Sequence, residues 1–227
     1  MLKILFEDNH LIIVNKNPGD LTQGDITGDI TLGDKIKSYL KKKYNKPGNV
    51  FLGITHRLDR PTSGVIIFTK TSKSLKRLNE MFKDNEIKKT YWAVVKSITK
   101  KKSDKLENYL IKNQKQNKSY VAKVSNTKSK KAILFYKVIF ELQKFSLLSI
   151  KLETGRHHQI RTQLSHVGFP IKGDLKYGYP RSNNDGSIHL HSRKVSFIHP
   201  VTKKNIEITA IPPKNNIWDL CLNCEEL

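Results

Sequence analysis

Short apolar runs alternate with polar stretches along most of this chain, a pattern that favours β-strands over long helices. A Gly-, Asp- and Thr-rich stretch at residues 19–33 interrupts this pattern and predicts a loop. Strands are predicted at residues 3–6, 10–15, 65–68, 91–95, 133–142, 145–152, 188–190, 195–198 and 206–211.

Apolar residues at helical spacing predict three helices between these strands. The first lies around residues 36–44 and stops at Pro47-Gly48. The second follows a cap at Thr71 or Ser72 and carries its apolar face over residues 75–82. The third covers about 158–167 and ends at Gly168.

The predicted elements form an α+β fold: a mixed, largely antiparallel sheet with a few flanking helices. Neither an internal repeat nor a linker divides the chain, so a single domain is expected over residues 1–227. Residues 100–131 are polar and Lys-rich, which predicts an exposed hairpin or a flexible insertion. Residues from about 213 to 227 are expected to form a C-terminal tail.

Composition excludes several classes of protein. The chain has no apolar run of the roughly 20 residues that a membrane helix needs, and Glu7 and Asp8 come too early for a signal peptide. The two cysteines, Cys221 and Cys224, both lie in the last seven residues, so no disulfide framework is expected. These features indicate a cytoplasmic protein, with a monomer as the default state.

The charge is far from balanced. The 42 Lys and Arg residues against 20 Asp and Glu give a net charge of +22 and a pI near 9.9. An AT-rich genome explains part of this lysine excess, but a pI above about 9 is also typical of nucleic-acid binding proteins. Only seven cations are Arg, and four of them fall in two short segments, around residues 57–60 and 156–161.

The first segment reads GITHRLDRPTSG over residues 53–64 and leads into an apolar strand. Pro61 and Gly64 bracket a turn, which places Asp59 on a short loop at a strand edge. Catalytic side chains are often presented on such loops. Asp59 can therefore act as a nucleophile or base, or it can simply stabilise the turn through local hydrogen bonds.

The second segment reads LETGRHHQIR over residues 152–161, where a strand breaks and a helix begins. His158 and Arg161 are three residues apart and are expected to share one helix face. Arg161 is either an ordinary surface cation or a buried guanidinium that pairs with a carboxylate such as Asp59. The second alternative would keep that carboxylate ionised inside a pocket.

A metal site is the weaker interpretation of the many late histidines. His189 and His191 alternate on a predicted strand, and His166 could supply a third ligand. However, no spacing matches a zinc motif, and the C-x-x-C pair at 221–224 has no partner pair. No metal is therefore expected.

Both segments resemble motifs of the RluA family of RNA pseudouridine synthases. Residues 56–64, HRLDRPTSG, are similar to the family's H-R-L-D-x-x-T-S-G motif, and residues 154–161, TGRHHQIR, are similar to T-G-R-x-H-Q-I-R. Residues 89–93, KTYWA, resemble K-x-Y-x-A. Residues 173–178, GDLKYG, and the region 189–200 also look like family blocks. The first family block, K-P-x-G-L, is matched with an offset proline by residues 16–21, KNPGDL.

The resemblance implies a fold, a reaction and a set of site residues. The fold is a mixed, largely antiparallel sheet with a central active-site cleft. The reaction converts a uridine of tRNA or rRNA to pseudouridine with no cofactor. The implied catalytic residues are Asp59, Tyr91 and Arg161, the last as the cation paired with Asp59. The implied substrate-binding and RNA-binding residues are His56, Arg57, Leu58, Arg60, Arg156 and Ile160.

The resemblance extends from about Ile4 to Pro212. Many relatives carry an N-terminal S4 RNA-binding module, and none is expected in this chain. RNA docking is therefore expected to rest on the domain's own basic surface, including residues 100–131. A non-catalytic RNA-binding protein and a nucleoside hydrolase or N-glycosidase are the alternatives. A tritium-release assay would distinguish the first, and free uracil among the products would indicate the second.

Overall fold

The computed structural model describes residues 2–24, 28–96, 101–122 and 127–223. The chain divides into two compact units. Unit 1 comprises Met1–Lys88 and Ser192–Pro213, and unit 2 comprises Lys89–His191 and Lys214–Leu227. Within the described ranges there are eleven strands and four α-helices. None of these helices is both long and apolar enough to span a membrane.

Unit 1 is a sheet flanked by two helices. Strand β4 lies between β2 and β10, strand β1 pairs with β2, and β3 and β11 pair with β4 and β10. Its elements are β1 (Ile4–Glu7), β2 (Leu11–Lys16), α1 (Leu32–Lys43), β3 (Gly53–Ile54), β4 (Ser63–Thr69), α2 (Ser72–Lys83), most of β10 (Leu190–Ile198) and β11 (Asn205–Thr209).

Strand β4 is the centre of unit 1, and all seven of its residues are buried. Val65 and Ile67 pack with Leu11, Ile13 and Leu78 in one apolar cluster. The second residue of the strand is at a position that only glycine can occupy. Gly64 has a φ of +116°, and a Cβ atom there would lie 2.3 Å from the carbonyl oxygen of Ser192. The last residue of the HRLDRPTSG motif therefore permits close packing of β4.

The strands of unit 2 are antiparallel and follow the order β5-β9-β8-β6-β7. Helix α3 packs beside β6 and β7. The elements are β5 (Lys88–Lys96), β6 (Ser103–Asn113), β7 (Lys118–Ala122), β8 (Lys130–Glu141), β9 (Phe145–Leu152), α3 (Gln159–His166), a single 3₁₀ turn (Leu175–Tyr177) and α4 (Asn216–Leu222).

The two faces of the unit 2 sheet differ in how they are covered. Leu106, Leu134 and Ile150, which share one face, are all buried. On the opposite face, Trp218 of α4 stacks on Trp92 of β5, with 6.5 Å between the ring centroids. Trp92 lies on this second face because alternate residues of a strand point to opposite faces. Helix α4 covers the part of the face around Trp92.

The α+β prediction is confirmed, and strand 145–152 has the predicted bounds. The described part of the Lys-rich stretch 100–131 contains the paired strands β6 and β7 and the start of β8. Strand β10 contains the whole strand predicted at 195–198 but only Leu190 of the one predicted at 188–190, and it runs without a break through the polar residues between them. Ile188 and His189 precede the strand. The single-domain and tail assignments stay predictions.

One local prediction is wrong. His158 does not lie on the face of α3, because it is the left-handed residue (φ +52°) that precedes the helix. Within the stretch expected to form a C-terminal tail, Asn216–Leu222 form α4, and Cys221 is buried there in an apolar cluster with Trp92 and Trp218. Asn215 caps that helix by accepting from the backbone N–H groups of Ile217 and Trp218. Cys224 and residues 25–27, 97–100 and 123–126 lie outside the described residues.

Candidate active site

In unit 1, Asp59 begins a tight turn between β3 and β4. The backbone N–H of Thr62 donates to the Asp59 carbonyl at 3.0 Å and closes this turn. The preceding residue, Leu58, is 8% exposed. Its backbone N–H and carbonyl both bond to the Thr22 hydroxyl, at 3.4 and 3.2 Å. Hydrogen bonds thus fix the backbone before and after the half-buried Asp59 side chain.

The ammonium of Lys16 holds the same turn from inside unit 1. Lys16 is 1% exposed, and its Nζ donates to the carbonyl oxygens of Asn17 (3.0 Å), Arg60 (3.1 Å) and Thr62 (2.7 Å). Burial lowers the pKa of Lys16 to about 8, opposed by the negative charges of Asp20 and Asp59. Three carbonyl acceptors match the three protons of an ammonium, so the site is built for the charged form.

The loop in residues 16–21, KNPGDL, also contacts the turn that begins at Asp59. Gly19, with a φ of +88°, donates its N–H to the Arg60 carbonyl at 2.8 Å. The Arg60 side chain is exposed and forms an ion pair with Asp29 at 3.0 Å, and Arg57 is exposed as well. Both guanidinium groups therefore lie at the surface, where an RNA backbone can reach them.

His56 has a structural contact in addition to its predicted role in RNA binding. Its Nε2 accepts a hydrogen bond from the backbone N–H of Ile67 at 2.9 Å, and its ring lies 4.8 Å from that of Phe82. Because Nε2 is the acceptor, the ring proton is on Nδ1. This bond ties the start of the motif to β4.

In unit 2, Tyr91 and Ile160 are both nearly buried. Tyr91 lies on β5 opposite Ile150 of β9 and is 7% exposed. Ile160 lies in the first turn of α3 and is 5% exposed. Both side chains are placed by regular secondary structure, which gives them well-defined positions.

Arg161 of α3 is a buried cation with a partner that the sequence pattern does not reveal. Its Nε and one terminal nitrogen donate to the two carboxylate oxygens of Asp174, at 2.7 and 2.8 Å. The two side chains are 6% and 1% exposed. The guanidinium also lies 5.0 Å from the centroid of the Tyr177 ring. This paired geometry fixes the plane of the guanidinium.

Tyr177 connects Arg161 to the TGRHHQIR segment. Its hydroxyl accepts the backbone N–H of Ser119 at 2.8 Å and bonds to Nδ1 of His158 at 2.9 Å. Burial raises the pKa of Tyr177, so its phenol stays protonated at neutral pH. The buried ring therefore supports both the guanidinium and the strained residue before α3.

Hydrogen bonds within the TGRHHQIR motif, residues 154–161, stabilise its conformation. Thr154 accepts the N–H of Ile133 at 2.8 Å and donates to the side chain of Gln159 at 2.8 Å. The same Gln159 oxygen accepts the N–H of Arg156 at 2.9 Å. Arg156 is exposed, and its Nε donates to the carbonyl of Lys131 at 2.8 Å. The motif thus fixes the start of α3 and leaves Arg156 at the surface.

Two of the late histidines, His189 and His191, pack against an aromatic ring. The rings of His189 and His191 lie 5.2 and 6.0 Å from that of Trp218. Burial, with the nearby charge of Lys172, lowers the pKa of His189 to about 4, so it is neutral. Over the described ranges, no group of three or more His, Cys, Asp or Glu side chains is arranged to hold a metal ion.

The predicted catalytic residues divide between the units. Asp59 belongs to unit 1, together with His56, Arg57, Leu58 and Arg60, whereas Tyr91, Arg156, Ile160 and Arg161 belong to unit 2. The pairing of Asp59 with Arg161 stays a prediction. The sequence pattern does not single out Lys16, Asp174 or Tyr177 as site residues, although each lies in a family-like block. Their roles depend on contacts between residues that are distant in the chain.

Two solved structures share the fold of this chain. A human structure titled RNA Pseudouridylate Synthase Domain Containing 4 superposes with a TM-score of 0.81, covering 99% of this chain and 93% of that one, at 21% identity. Human RNA Pseudouridylate Synthase Domain Containing 1 superposes with a TM-score of 0.73, covering 97% and 87%, also at 21% identity. The fold is therefore that of a pseudouridylate synthase domain.

Sequence comparison gives the family. Residues 10–166 match the RNA pseudouridylate synthase family, and the chain belongs to that family. It is 34% identical to ribosomal large subunit pseudouridine synthase C of Buchnera aphidicola subsp. Baizongia pistaciae, over 91% of this chain and 66% of that protein. It is 31% identical to ribosomal large subunit pseudouridine synthase D of Zymomonas mobilis, over 94% and 70%. The chain thus spans just under two thirds of the length of the Buchnera relative.

Proposed function

We propose that this protein is an RNA pseudouridine synthase, an isomerase that converts a uridine within RNA to pseudouridine. The observation that carries this proposal is the HRLDRPTSG turn. There a half-buried Asp59 is held by Thr22, Lys16 and a closed backbone turn, in a chain that belongs to the pseudouridylate synthase family. A carboxylate on rigid backbone is suited to a reaction that needs one well-placed charged group.

The reaction is a rearrangement that conserves atoms and electrons. The N1–C1′ bond of the uridine breaks, the uracil turns over, and a bond forms between C5 and C1′. The C5 proton leaves and N1 gains a proton, so the reaction needs no redox cofactor. The target base must first leave its stack, which costs a few kcal/mol and least where the base is unpaired.

The roles follow from these requirements. Asp59 attacks or deprotonates the sugar–base unit, and Tyr91 is the candidate that helps to remove the C5 proton. Leu58, Tyr91 and Ile160 retain the detached base and exclude water, for which their burial is favourable. Arg161 supplies the cation that pairs with the catalytic carboxylate, and Asp174 and Tyr177 keep its guanidinium oriented. His56, Arg57, Arg60 and Arg156 contribute to RNA binding.

The names of the relatives favour one class of substrate. Synthases C and D, at 34% and 31% identity, are both named for the large ribosomal subunit. We therefore propose large-subunit rRNA over tRNA. We also propose a monomeric protein that acts in the cytoplasm, and sedimentation of the purified protein would test the first of these two assignments.

The test measures tritium released from RNA that contains C5-tritiated uridine. The wild-type protein is expected to release tritium from large-subunit rRNA, and Asp59→Asn is expected to release at least about 10³-fold less. The RNA affinity of the variant should change by less than about 2-fold, because the substitution changes only the charge of one side chain and leaves the backbone turn intact. Asp84→Asn, which changes an exposed carboxylate at the end of α2, is the matched control and should act like wild type.

Three outcomes would contradict the proposal. Appreciable release by Asp59→Asn would remove Asp59 from the catalytic role. RNA binding by the wild type without release from any RNA would indicate a non-catalytic binding protein. Free uracil among the products would indicate an N-glycosidase. Comparing pseudouridines in rRNA and tRNA with and without the gene would identify the substrate.

A further inference from the structure

One face of the unit 2 sheet forms continuous rows of aligned residues. Directly paired residues of antiparallel strands lie on the same face, so Lys105 of β6, Phe135 of β8 and Lys151 of β9 form one row. Lys137 and Ser149 belong to the next row. This is the face opposite to the one that holds Leu106, Leu134 and Ile150.

Helix α4 covers only part of this face. Trp218 packs on Trp92, Val94 and Leu147, which lie on β5 and β9. Farther across the sheet, Phe135 is 43% exposed on β8, and Tyr120 of β7 is 39% exposed. We call the open region around Lys105, Lys131, Phe135, Lys137 and Lys151 the exterior surface.

Cations surround the exposed aromatic rings of this face. Nζ of Lys105 lies 5.8 Å from the Phe135 ring centroid, and Nζ of Lys118 lies 5.3 Å from that of Tyr120. By register, Tyr120 lies two strands away from Phe135 and roughly 20 Å farther along the strands. The two aromatic–lysine pairs therefore lie at separate points of one face.

The charge of the exterior surface is positive. Lys105, Lys131, Lys137 and Lys151 are exposed on it, and Arg156 joins it through its bond to the Lys131 carbonyl. The carboxylates that oppose them are Glu107, which pairs with Lys105 and Lys131 at 3.0 and 2.6 Å, and Glu153. These are exposed ion pairs of low stability, which leaves an excess of cations to meet a polyanion.

We infer that the exterior surface binds unpaired nucleotides of the RNA outside the target uridine, with a base stacked on Phe135 and phosphates near the lysines. This inference rests on the proposed function. An exposed aromatic ring among cations is the arrangement by which proteins bind single-stranded nucleic acid without reading its sequence. A protein partner fits less well, because lysine is depleted in protein–protein interfaces and this surface has one large apolar side chain at its centre.

The experiment measures the affinity of the full chain for a fluorescein-labelled single-stranded oligouridine by fluorescence anisotropy. Phe135→Ala is expected to weaken binding about 5-fold or more, the loss typical of one stacked base. Phe135→Trp, which keeps a stacking face, should retain wild-type affinity. Because Phe135 is exposed, neither variant should unfold the protein, and circular dichroism would verify this.

Two matched controls separate this surface from general charge and hydrophobicity. Phe51→Ala removes another exposed phenylalanine (46% exposed), in unit 1, and should not change the affinity. Lys105→Ala with Lys151→Ala should lower the slope of log affinity against log salt by about 1.4, at about 0.7 per lost phosphate contact. Lys41→Ala with Lys42→Ala, on the exposed side of α1, should leave the slope unchanged.

Several results would overturn the inference. These are wild-type affinity in Phe135→Ala, equal losses in Phe51→Ala, equal slopes in the two lysine pairs, and a change of oligomeric state in Phe135→Ala by sedimentation. The last would make the surface a contact between copies of the chain. A failure of the inferred RNA binding by the exterior surface can be distinguished from a failure of the proposed function. A wild type that releases tritium while Phe135→Ala binds normally refutes only this surface, whereas a wild type that binds through Phe135 but releases no tritium refutes only the activity.

Discussion

At the residue scale, Lys16 is in an environment that lysine rarely occupies. A buried ammonium is costly unless its protons are bonded, and here all three bond to backbone carbonyls. Two of those carbonyls belong to Arg60 and Thr62, within three residues of Asp59. Lys16 therefore acts on the candidate catalytic residue by positioning its loop.

Replacing Lys16 by Met should test this positioning role. The substitution keeps an unbranched apolar side chain and removes the ammonium, so the carbonyls of Asn17 and Thr62 lose this donor, whereas the Arg60 carbonyl keeps the N–H of Gly19. We expect a stability loss of about 1–3 kcal/mol. We also expect kcat to fall about 10- to 100-fold, because a small displacement of a catalytic group has a large effect on rate. Single-turnover tritium release at saturating RNA measures the rate, and urea unfolding measures the stability.

The pH dependence provides a readout that lost stability alone would not alter. With a pKa of about 8, Lys16 is charged below that value and loses its third donor above it. Asp20, Asp59 and Arg60 are the charged groups that act on it. Wild-type activity should therefore fall as the pH rises through about 8, and this decline should be absent in Lys16→Met. Lys37→Met, on the exposed side of α1, is the control and should keep both rate and profile. An unchanged kcat in Lys16→Met would contradict the role.

At the element scale, one carboxylate connects helix α1 to the sheet of unit 1. Glu7, at the end of β1, accepts hydrogen bonds from the hydroxyls of Tyr39 and Tyr44 and from Nζ of Lys43 and Lys70, at 2.7–2.9 Å. Burial alone would raise its pKa. The bonds from these lysines and tyrosines outweigh that and hold the pKa of Glu7 at about 2. The ionised carboxylate is therefore part of the folded state.

The stability of the protein should depend on pH through Glu7. Its pKa is lower in the folded chain than the roughly 4.3 of an unfolded glutamate, so its contribution is present above about pH 4.3 and disappears as the pH falls toward 2. Allowing for solvent screening, we expect Glu7→Gln to lose about 1–2 kcal/mol at neutral pH and to show a shallower decline below pH 4. Urea unfolding over this pH range measures both. Glu80→Gln, on exposed α2, should keep the wild-type profile, and an equally steep decline in Glu7→Gln would contradict the assignment.

The elements that the sequence predicts well are those determined by local pattern. Strand 145–152 and the Thr71 cap of α2 follow from side-chain alternation and from a hydroxyl before an apolar face. Helix α1 begins earlier than predicted, at Leu32, because Thr31 and Asp34 form a capping box. Helix α4 is not predicted, since its seven residues have little helical signal of their own and are stabilised by the packing of Trp218 on Trp92.

In the candidate site too, local sequence predicts some features and contacts between distant residues determine the others. The motifs locate Asp59, Tyr91 and Arg161 from sequence, because their residue order is itself the signal. The contacts that orient these regions are between residues far apart in the chain. Asp174 lies 13 residues from Arg161, and Thr62 lies 46 residues from Lys16. No local periodicity indicates which distant carbonyl or carboxylate a buried cation will meet, so those partners required the folded structure.

At the scale of the whole molecule, the proposed function assigns the net charge of +22 to the affinity for RNA rather than to the chemical step. Cations that neutralise phosphates release counterions, so affinity falls as salt rises. If the RNA meets about five cations, as many as the exterior surface presents together with Arg156, the slope of log affinity against log salt should be about −3.5 for a single strand. A rise from about 50 to 200 mM salt should then weaken binding about 100-fold.

The chemical step should respond differently, because the proposed catalytic groups do not act as phosphate contacts. We expect the single-turnover rate at saturating RNA to change less than about 2-fold over the same salt range, and Asp59→Asn to keep the wild-type slope of affinity against salt. Anisotropy with labelled RNA measures the slope, and rapid quench of tritium release measures the rate. A slope near zero would show that the lysine excess reflects genome composition. A rate that falls in step with affinity would instead place the phosphate contacts within the chemical step.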